Sequence, residues 1–296
     1  MKKLLTLLAL TVSFSMNAQV STNSTSPTGI YASAMGNGTT ASGNESTAMG
    51  YDTTASAEAS TAMGYSTTAS AESSTAMGRG TTASGTRSTA MGEITTASGD
   101  SSTAMGGGTV ASGSYSTAIG IYTTASDYAS TVIGQHNSSG YSVTNSANSF
   151  NTSNTAFVIG NGTSPINKSD AFKVMFNGDT TISNDLTVSG DVVISSDARL
   201  KSNIVSLGST LSKLLLIDGK SYEKNGKQRI GVLAQEIQEV FPELVTEDGN
   251  EMLAVNYQGL VPVLINALKE QQSEIETYRD EVSELREIVQ ELASRD

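Results

Sequence analysis

Glycine recurs at Gly36, Gly50, Gly64, Gly78, Gly92, Gly106, Gly120 and Gly134, a constant interval of fourteen residues. The unit around it reads S-T-A-M-G-x-x-T-T-A-S-x-x-x, with Met before Gly from Met35 to Met105 and Ile at Ile119 and Ile133. Self-similarity at a fixed period is the signature of a solenoid or array, in which each unit buries its face only against its neighbours. Fourteen residues suit two short strands and two turns. Coils stacked at ~4.8 Å make a rod of roughly 35–40 Å. Charges between residues 31 and 134, such as Glu58, Arg79 and Asp100, fall in the variable positions, which are therefore assigned to turns. Strand parity puts Thr61 and Met63 on one face and Ser60 and Ala62 on the other. The expectation is one buried Met per coil, a meagre core, with the small Ala and Ser faces left to pack between chains. A single chain so thin offsets its backbone entropy poorly, so the rod is expected to be oligomeric. A disordered Ser/Thr/Gly linker would not keep a strict period with a fixed apolar position.

Those S-T-A-M-G and S-T-A-I-G units resemble the head repeats of trimeric autotransporter adhesins, the YadA-like heads, over about residues 31–134 and again at Ala156-Phe157-Val158-Ile159-Gly160. The resemblance implies a trimer of left-handed parallel β-rolls. Thr stands where the family's unit usually has Val, which implies a wetter interior. That family ends in a membrane β-barrel anchor; none is expected in this chain.

The chain of 296 residues has no Cys, no Trp, one His and a net charge of −12. Lack of Cys excludes disulfides, thiolate nucleophiles and Cys-based zinc sites. A lone His136 speaks against a Ser-His-Asp triad or a multi-His metal site and reads as a capping turn residue. No metal or other cofactor is expected. The acidic balance argues against nucleic acid as a partner. Gly36-Asn37-Gly38-Thr39-Thr40-Ala41 is in register with the repeat and precedes no helix pattern, so it is not a dinucleotide loop. Asp218-Gly219-Lys220-Ser221 lacks the earlier Gly of a phosphate loop.

Charge is also uneven. Residues 19–195 hold 15 Lys, Arg, Asp and Glu, whereas residues 196–296 hold 29, which places a boundary near residue 195. Upstream, Lys2 and Lys3 precede an apolar run from Leu4 to Phe14 and small residues to Ala18, the layout of a signal peptide. The product is expected to be secreted or displayed on the surface of a Gram-negative-type cell. Residues 141–195 read as a β-rich neck. Phe172–Phe176 alternates, Asn177-Gly178 is a turn signal, and short strands are expected at Thr180–Ser183, Leu186–Ser189 and Asp191–Ser195.

At the boundary stands Ser196-Asp197-Ala198-Arg199-Leu200-Lys201-Ser202-Asn203-Ile204. Alone it reads as a plain helix start capped by Ser196 or Asp197, and only the context that follows points elsewhere. Downstream follow Arg229-Ile230-Gly231-Val232-Leu233-Ala234-Gln235-Glu236, Val240-Phe241-Pro242-Glu243-Leu244-Val245, and the run Val255–Leu264. Together these resemble the C-terminal intramolecular chaperone of phage endosialidase tailspikes, over about residues 195–290. The resemblance implies a domain that trimerises its fibre and then cuts itself off before a Ser with a Ser-Lys dyad. By motif position, Ser196 is the nucleophile, Lys201 its base, and scission falls between Ser195 and Ser196. A Lys base must be neutral, which takes desolvation or nearby cations. In a regular helix five residues separate side chains by about 140°, so the pair requires a bend.

The last stretch follows a heptad. Val261, Leu268, Ile275, Val282 and Val289 take a; Leu264, Gln271, Tyr278, Leu285 and Leu292 take d. Nine of these ten are apolar, and Glu274 and Glu281 at g precede Arg279 and Arg286 at e by five residues, which suits a parallel in-register coiled coil. The expected layout is thus a signal peptide at 1–18, an N-terminal segment at 19–30, β-roll repeats at 31–140 and a neck at 141–195. A chaperone and autoprotease at 196–263 and a coiled-coil helix at 264–296 complete it. The fold class is mainly β in front and α+β behind.

The function expected is a secreted homotrimeric adhesin or fibre, partnered by itself and by a host or environmental surface ligand. Two alternatives stand beside it. One is an ice- or surface-binding face built from a ladder of Thr53, Thr67, Thr81, Thr95 and Thr123. The other is a phage-derived tail fibre, against which the signal peptide argues.

Overall fold

The computed structural model describes residues 22–247 and 251–294. The signal peptide expected at residues 1–18 lies outside them. The chain forms two compact units that divide between Asp191 and Val192.

The first unit is a β-solenoid. Each coil contributes a five-residue strand, such as Thr61–Tyr65, and a two-residue strand, such as Thr68–Ala69. Successive coils pair in parallel and in strict register, Thr61 on Thr75, Met63 on Met77 and Gly64 on Gly78. About eight such coils stack into two sheets; among the described residues the long strands belong to a twelve-stranded sheet and the short ones to an eight-stranded sheet. The fourteen-residue period thus becomes one coil, two strands and two turns.

The interior differs from expectation. Ser60, Ala62, Thr67 and Ala69 are fully buried, and the same four positions are buried in coil after coil. Met63 is only half-buried, and Met49 is exposed. Parity was right, but the inward face is the small one. Two strands joined by tight turns bring their backbones so close that small side chains fill the space between them, chiefly Ala, Ser and Thr, with Val132 and Val158 in the last coils. Met therefore points outward, and the Ala and Ser faces do not meet other chains. Cohesion comes from the ladder, for example Thr61 N–H to Ser74 O and Thr68 N–H to Thr81 O, both 2.8 Å.

The Thr ladder proposed as a binding surface is part of this interior. Thr53, Thr67, Thr81, Thr95 and Thr123 are fully buried, so that reading falls. Their Oγ1 atoms find no hydrogen-bond partner. Arg79 is also not a turn residue: it ends the strand Thr75–Arg79 and pairs with Glu93 one coil on, while Glu58 and Asp100 are in turns.

The invariant Gly has a steric cause. Gly64 sits at φ +127°, and a Cβ there would collide with the Gly78 carbonyl oxygen of the next coil. The left-handed region and the close backbone approach both demand Gly.

After Gly134 the spacing lengthens, and the partner of Gly134 is Gly160. The extra residues form a loop between the strands Thr131–Gln135 and Thr155–Asn161. Two antiparallel strands, Asp170–Met175 and Thr180–Ile182, then close the sheet. His136 stacks on Tyr122 at 5.1 Å in the left-handed region, at the start of that loop. The strands expected at Leu186–Ser189 and Asp191–Ser195 do not form. Their alternating Leu186, Val188, Val192 and Ile194 are exposed.

The second unit is α+β. A short helix α1 (Leu211–Leu214) precedes the hairpin Lys220–Lys224/Lys227–Gly231, then α2 (Ala234–Val240), a second hairpin Val245–Glu247/Leu253–Val255 and the long α3 (Leu260–Ala293). Its core is small: Ile237, Phe241, Leu244 and Val263, ringed by residues such as Leu214, Val232 and Val255. The first turns of α3 supply Val263 and Ala267 to that unit. Beyond them, Glu270 holds the segment Ser209–Leu211, and the apolar residues further along α3, such as Ile275, Val282 and Val289, are exposed.

Candidate functional site

Residues 191–197 form no regular secondary structure and are exposed, and the chain then makes one 3-10 turn over Ala198–Leu200. Asp197 caps it: its Oδ1 accepts the Arg199 N–H at 2.8 Å, as short polar side chains do at helix starts. The same carboxylate takes the Arg199 side chain in a fork, Nε to Oδ1 at 3.0 Å and the terminal nitrogen to Oδ2 at 2.7 Å. The Arg199 guanidinium and backbone amide hold the Asp197 carboxyl below its usual range. Lys201 leaves the turn extended, at φ −120° and ψ 146°, with its N–H on Ala198 O.

That turn brings the two predicted residues together. Lys201 Nζ lies 2.7 Å from Ser196 Oγ. A tight turn of about three residues folds the chain back where a regular α-helix would have pointed the two side chains apart. Both residues are exposed in the single chain. The Ser195–Ser196 peptide lies in the exposed segment immediately before the pair.

Asp197 is the residue whose part here could not be assigned from sequence. Its cap and its fork with Arg199 shape the turn that sets the Ser–Lys distance. The signal available was its place directly after Ser196 and two residues before a basic side chain.

Downstream, the segment is anchored to α3. Glu270 accepts from Ser209 Oγ at 2.7 Å, Thr210 N–H at 2.5 Å and Leu211 N–H at 3.3 Å, and the buried Thr210 donates its hydroxyl to Val263 O at 3.1 Å. The Ser209 hydroxyl and the Thr210 amide hold the Glu270 carboxyl below the ordinary glutamate range.

A repeat solenoid is thus followed in sequence by a small α+β unit, with the Ser196–Lys201 pair near the start of the latter. The comparisons identify both parts. Residues 28–53, 55–81, 83–109 and 111–137 each match the YadA head domain repeat in two copies, and residues 196–246 match the chaperone of endosialidase. The chain therefore carries YadA-type head repeats and an endosialidase-type chaperone segment, the make-up of an adhesin or fibre with an intramolecular chaperone. The second match begins at Ser196 and ends before α3. No curated protein matches the chain. No helix of the described residues is long and apolar enough to cross a membrane.

Proposed function

We propose that this chain is an extracellular or surface-displayed homotrimeric adhesin whose C-terminal segment assembles it and is then released by autoproteolysis between Ser195 and Ser196. The observation that carries the proposal is the 2.7 Å approach of Lys201 Nζ to Ser196 Oγ at the first residue of the chaperone match.

With Lys201 neutral, its amine takes the Ser196 hydroxyl proton as Oγ attacks the Ser195 carbonyl carbon. The Ser195–Ser196 C–N bond breaks, the proton passes to the departing Ser196 nitrogen, and an ester links Ser195 to Ser196 Oγ. Water hydrolyses that ester, leaving a carboxylate on Ser195 and the free hydroxyl on Ser196. Proximity within one turn supplies much of the advantage. Desolvation favours a neutral Lys, and in the single chain Lys201 is exposed. Neighbouring chains are the natural source of burial, so cleavage is expected to wait for assembly.

Two apolar rows support a trimer. In α3, Leu268, Tyr278, Val289 and the other apolar a and d residues stand exposed. On the solenoid, the outward Met row from Met35 to Met105 runs along the long strands. The residue spans proposed are a head at 31–140, a neck at 141–195, a chaperone at 196–263 and a coiled coil at 264–296. Losing the chaperone after assembly removes a route back to unfolded monomers.

Intact-mass measurement of the purified protein tests this. A fragment of residues 196–296, 101 residues long, is expected from the wild type. Ser196→Ala and Lys201→Ala are each expected to abolish it while the trimer persists. A wild-type trimer left uncut would refute the autoproteolysis.

A further inference from the structure

The loop inserted between Gln135 and Thr155 lines a pocket together with Lys168, Lys173 and Met175. Three fully buried polar side chains pin it. Asn137 accepts the Thr124 N–H and donates to Thr124 O and Ser139 O, each at 2.8 Å. Asp127 accepts the Thr144 N–H at 2.6 Å and the Thr155 N–H at 2.8 Å. Asn154 brackets Ser146, accepting its N–H at 2.9 Å and donating to its carbonyl at 2.7 Å. A loop held by this many buried hydrogen bonds is set in shape before any ligand arrives.

The result is a cavity of about 290 Å³ walled in part by Ser139, Tyr141, Ser142, Thr144, Lys168 and Lys173. Its charge is against the trend of the unit. Residues 19–195 hold eleven acidic and four basic side chains, and the two lysines among them are Lys168 and Lys173. Both line this one cavity, and neither is ion-paired to a carboxylate among the described residues. The nearby Asp170 carboxylate accepts the Ser138 and Ser139 N–H groups at 2.8 Å each and makes no ion pair with either lysine. Lys168 Nζ sits 2.8 Å from the centre of the Tyr141 ring, whose side chain is partly exposed.

We infer that this pocket binds an acidic saccharide, one sugar unit bearing a carboxylate. Two ammonium groups provide charge-assisted contacts for the carboxylate. The Ser139, Ser142 and Thr144 hydroxyls both donate and accept, as a polyhydroxylated body requires. Tyr141 adds an apolar ring beside its polar tip. The volume suits one sugar residue, at the small end of ligand pockets. The site lies in the first unit and the scissile segment in the second, so a binding result reads neither cleavage nor assembly.

Calorimetric titration of the full chain with D-glucuronate, D-glucose and inorganic sulfate tests the inference. Glucuronate is expected to bind, with glucose and sulfate each at least tenfold weaker. Lys168→Gln and Lys173→Gln are each expected to weaken glucuronate about tenfold, the size of one charge-assisted hydrogen bond. Lys213→Gln, in the second unit, is expected to leave binding unchanged. Amide shifts at Ser142 and Thr144 on adding glucuronate locate the site in the wild type without relying on any variant. Glucose binding as tightly as glucuronate would overturn the proposal, as would sulfate matching it, absence of glucuronate binding, or full affinity in both lysine variants.

Discussion

The two units bury opposite kinds of residue. In the solenoid the fully buried residues are mostly Ala, Ser and Thr, repeated coil after coil, with Val132, Val158, Asp127, Asn137 and Asn154 added at its C-terminal end, and the Met side chains stand outside. In the second unit the core is large and apolar but small in number, built on Ile237, Phe241, Leu244 and Val263, while Leu264, Leu268, Val282 and Leu285 of α3 lie open. The solenoid is held by nearest-neighbour backbone pairing, and each coil completes the one before it. The α3 helix has an apolar stripe without anything to cover it, which makes that part incomplete as a single chain. The difference matches the proposed division of labour. One part is a finished, repetitive product, and the other is made to engage further copies.

The largest expected effect comes from making the open stripe polar. Leu268→Asp with Val282→Asp places charges at two a positions that are exposed in the single chain, so the monomer's own packing is not the casualty. Sedimentation should show the chaperone-bearing chain as a monomer, and intact mass should show it uncut. A monomer that still released residues 196–296 would separate cleavage from assembly and break the proposed order of events.

Next comes the rule that governs the solenoid. Gly78→Ala adds a Cβ at φ +121° that collides with the Gly92 carbonyl oxygen. Strain and backbone displacement together are expected to cost about 3 kcal/mol or more, read as a lower denaturation midpoint. Gly107→Ala is the matched control. It sits where other coils carry Tyr65, Arg79 or Glu93, and a Cβ there meets nothing within 4 Å. A shift within about 0.5 kcal/mol is expected. Equal effects at the two sites would sink the idea that inter-coil contact is what reserves the repeat glycine.

A smaller, pH-dependent effect belongs to the second unit. The Glu270 carboxyl is lowered in the folded chain by Ser209 and by the Thr210 amide. A depressed carboxyl stabilises the fold above its unfolded pKa, near ~4.3, and that contribution is lost as pH falls through the lower folded value. Amide exchange protection of Thr210 and Leu211 should therefore hold above about pH 5 and decline in more acid solution. Glu270→Gln should lower protection at neutral pH and flatten that decline. Unchanged pH dependence in the variant would show that other carboxylates govern the segment.

These contrasts also show which features could be read from the chain itself. The period was legible because a glycine every fourteen residues reports a contact between adjacent coils. The orientation of the coil was not, since parity yields two faces and hydrophobicity favoured Met63 over Ala62. The discriminating signal was variation among the repeats: outward positions 65, 79, 93 and 107 change from Tyr to Arg, Glu and Gly, whereas Ala62 and Ala69 recur almost unchanged. Ser196 and Lys201 were picked out only through the resemblance of the downstream motifs, and the 3-10 turn between them brings the side chains to 2.7 Å. Lys168 and Tyr141 were not legible, because a loop and a hairpin had to fold before they met. The expected strands at Leu186–Ser189 and Asp191–Ser195 did not form, because alternation records only a tendency to pair and does not name a partner strand.

The finest test concerns the buried hydroxyls. Thr67 is fully enclosed, and its Oγ1 has no partner in the interior. An unsatisfied buried hydroxyl carries a desolvation penalty of about 1–3 kcal/mol, and Val fills nearly the same space without it. Both residues are β-branched, so strand preference changes little. Thr67→Val should therefore raise stability by roughly 1 kcal/mol, seen as a higher denaturation midpoint with an unchanged slope. The same exchange at Thr61, on the outward face of the same coil, removes no buried polar group and should change stability by less than about 0.5 kcal/mol. If Thr67→Val destabilised the rod, the hydroxyl column would have to be satisfied by internal water, and the interior would be wet rather than merely polar.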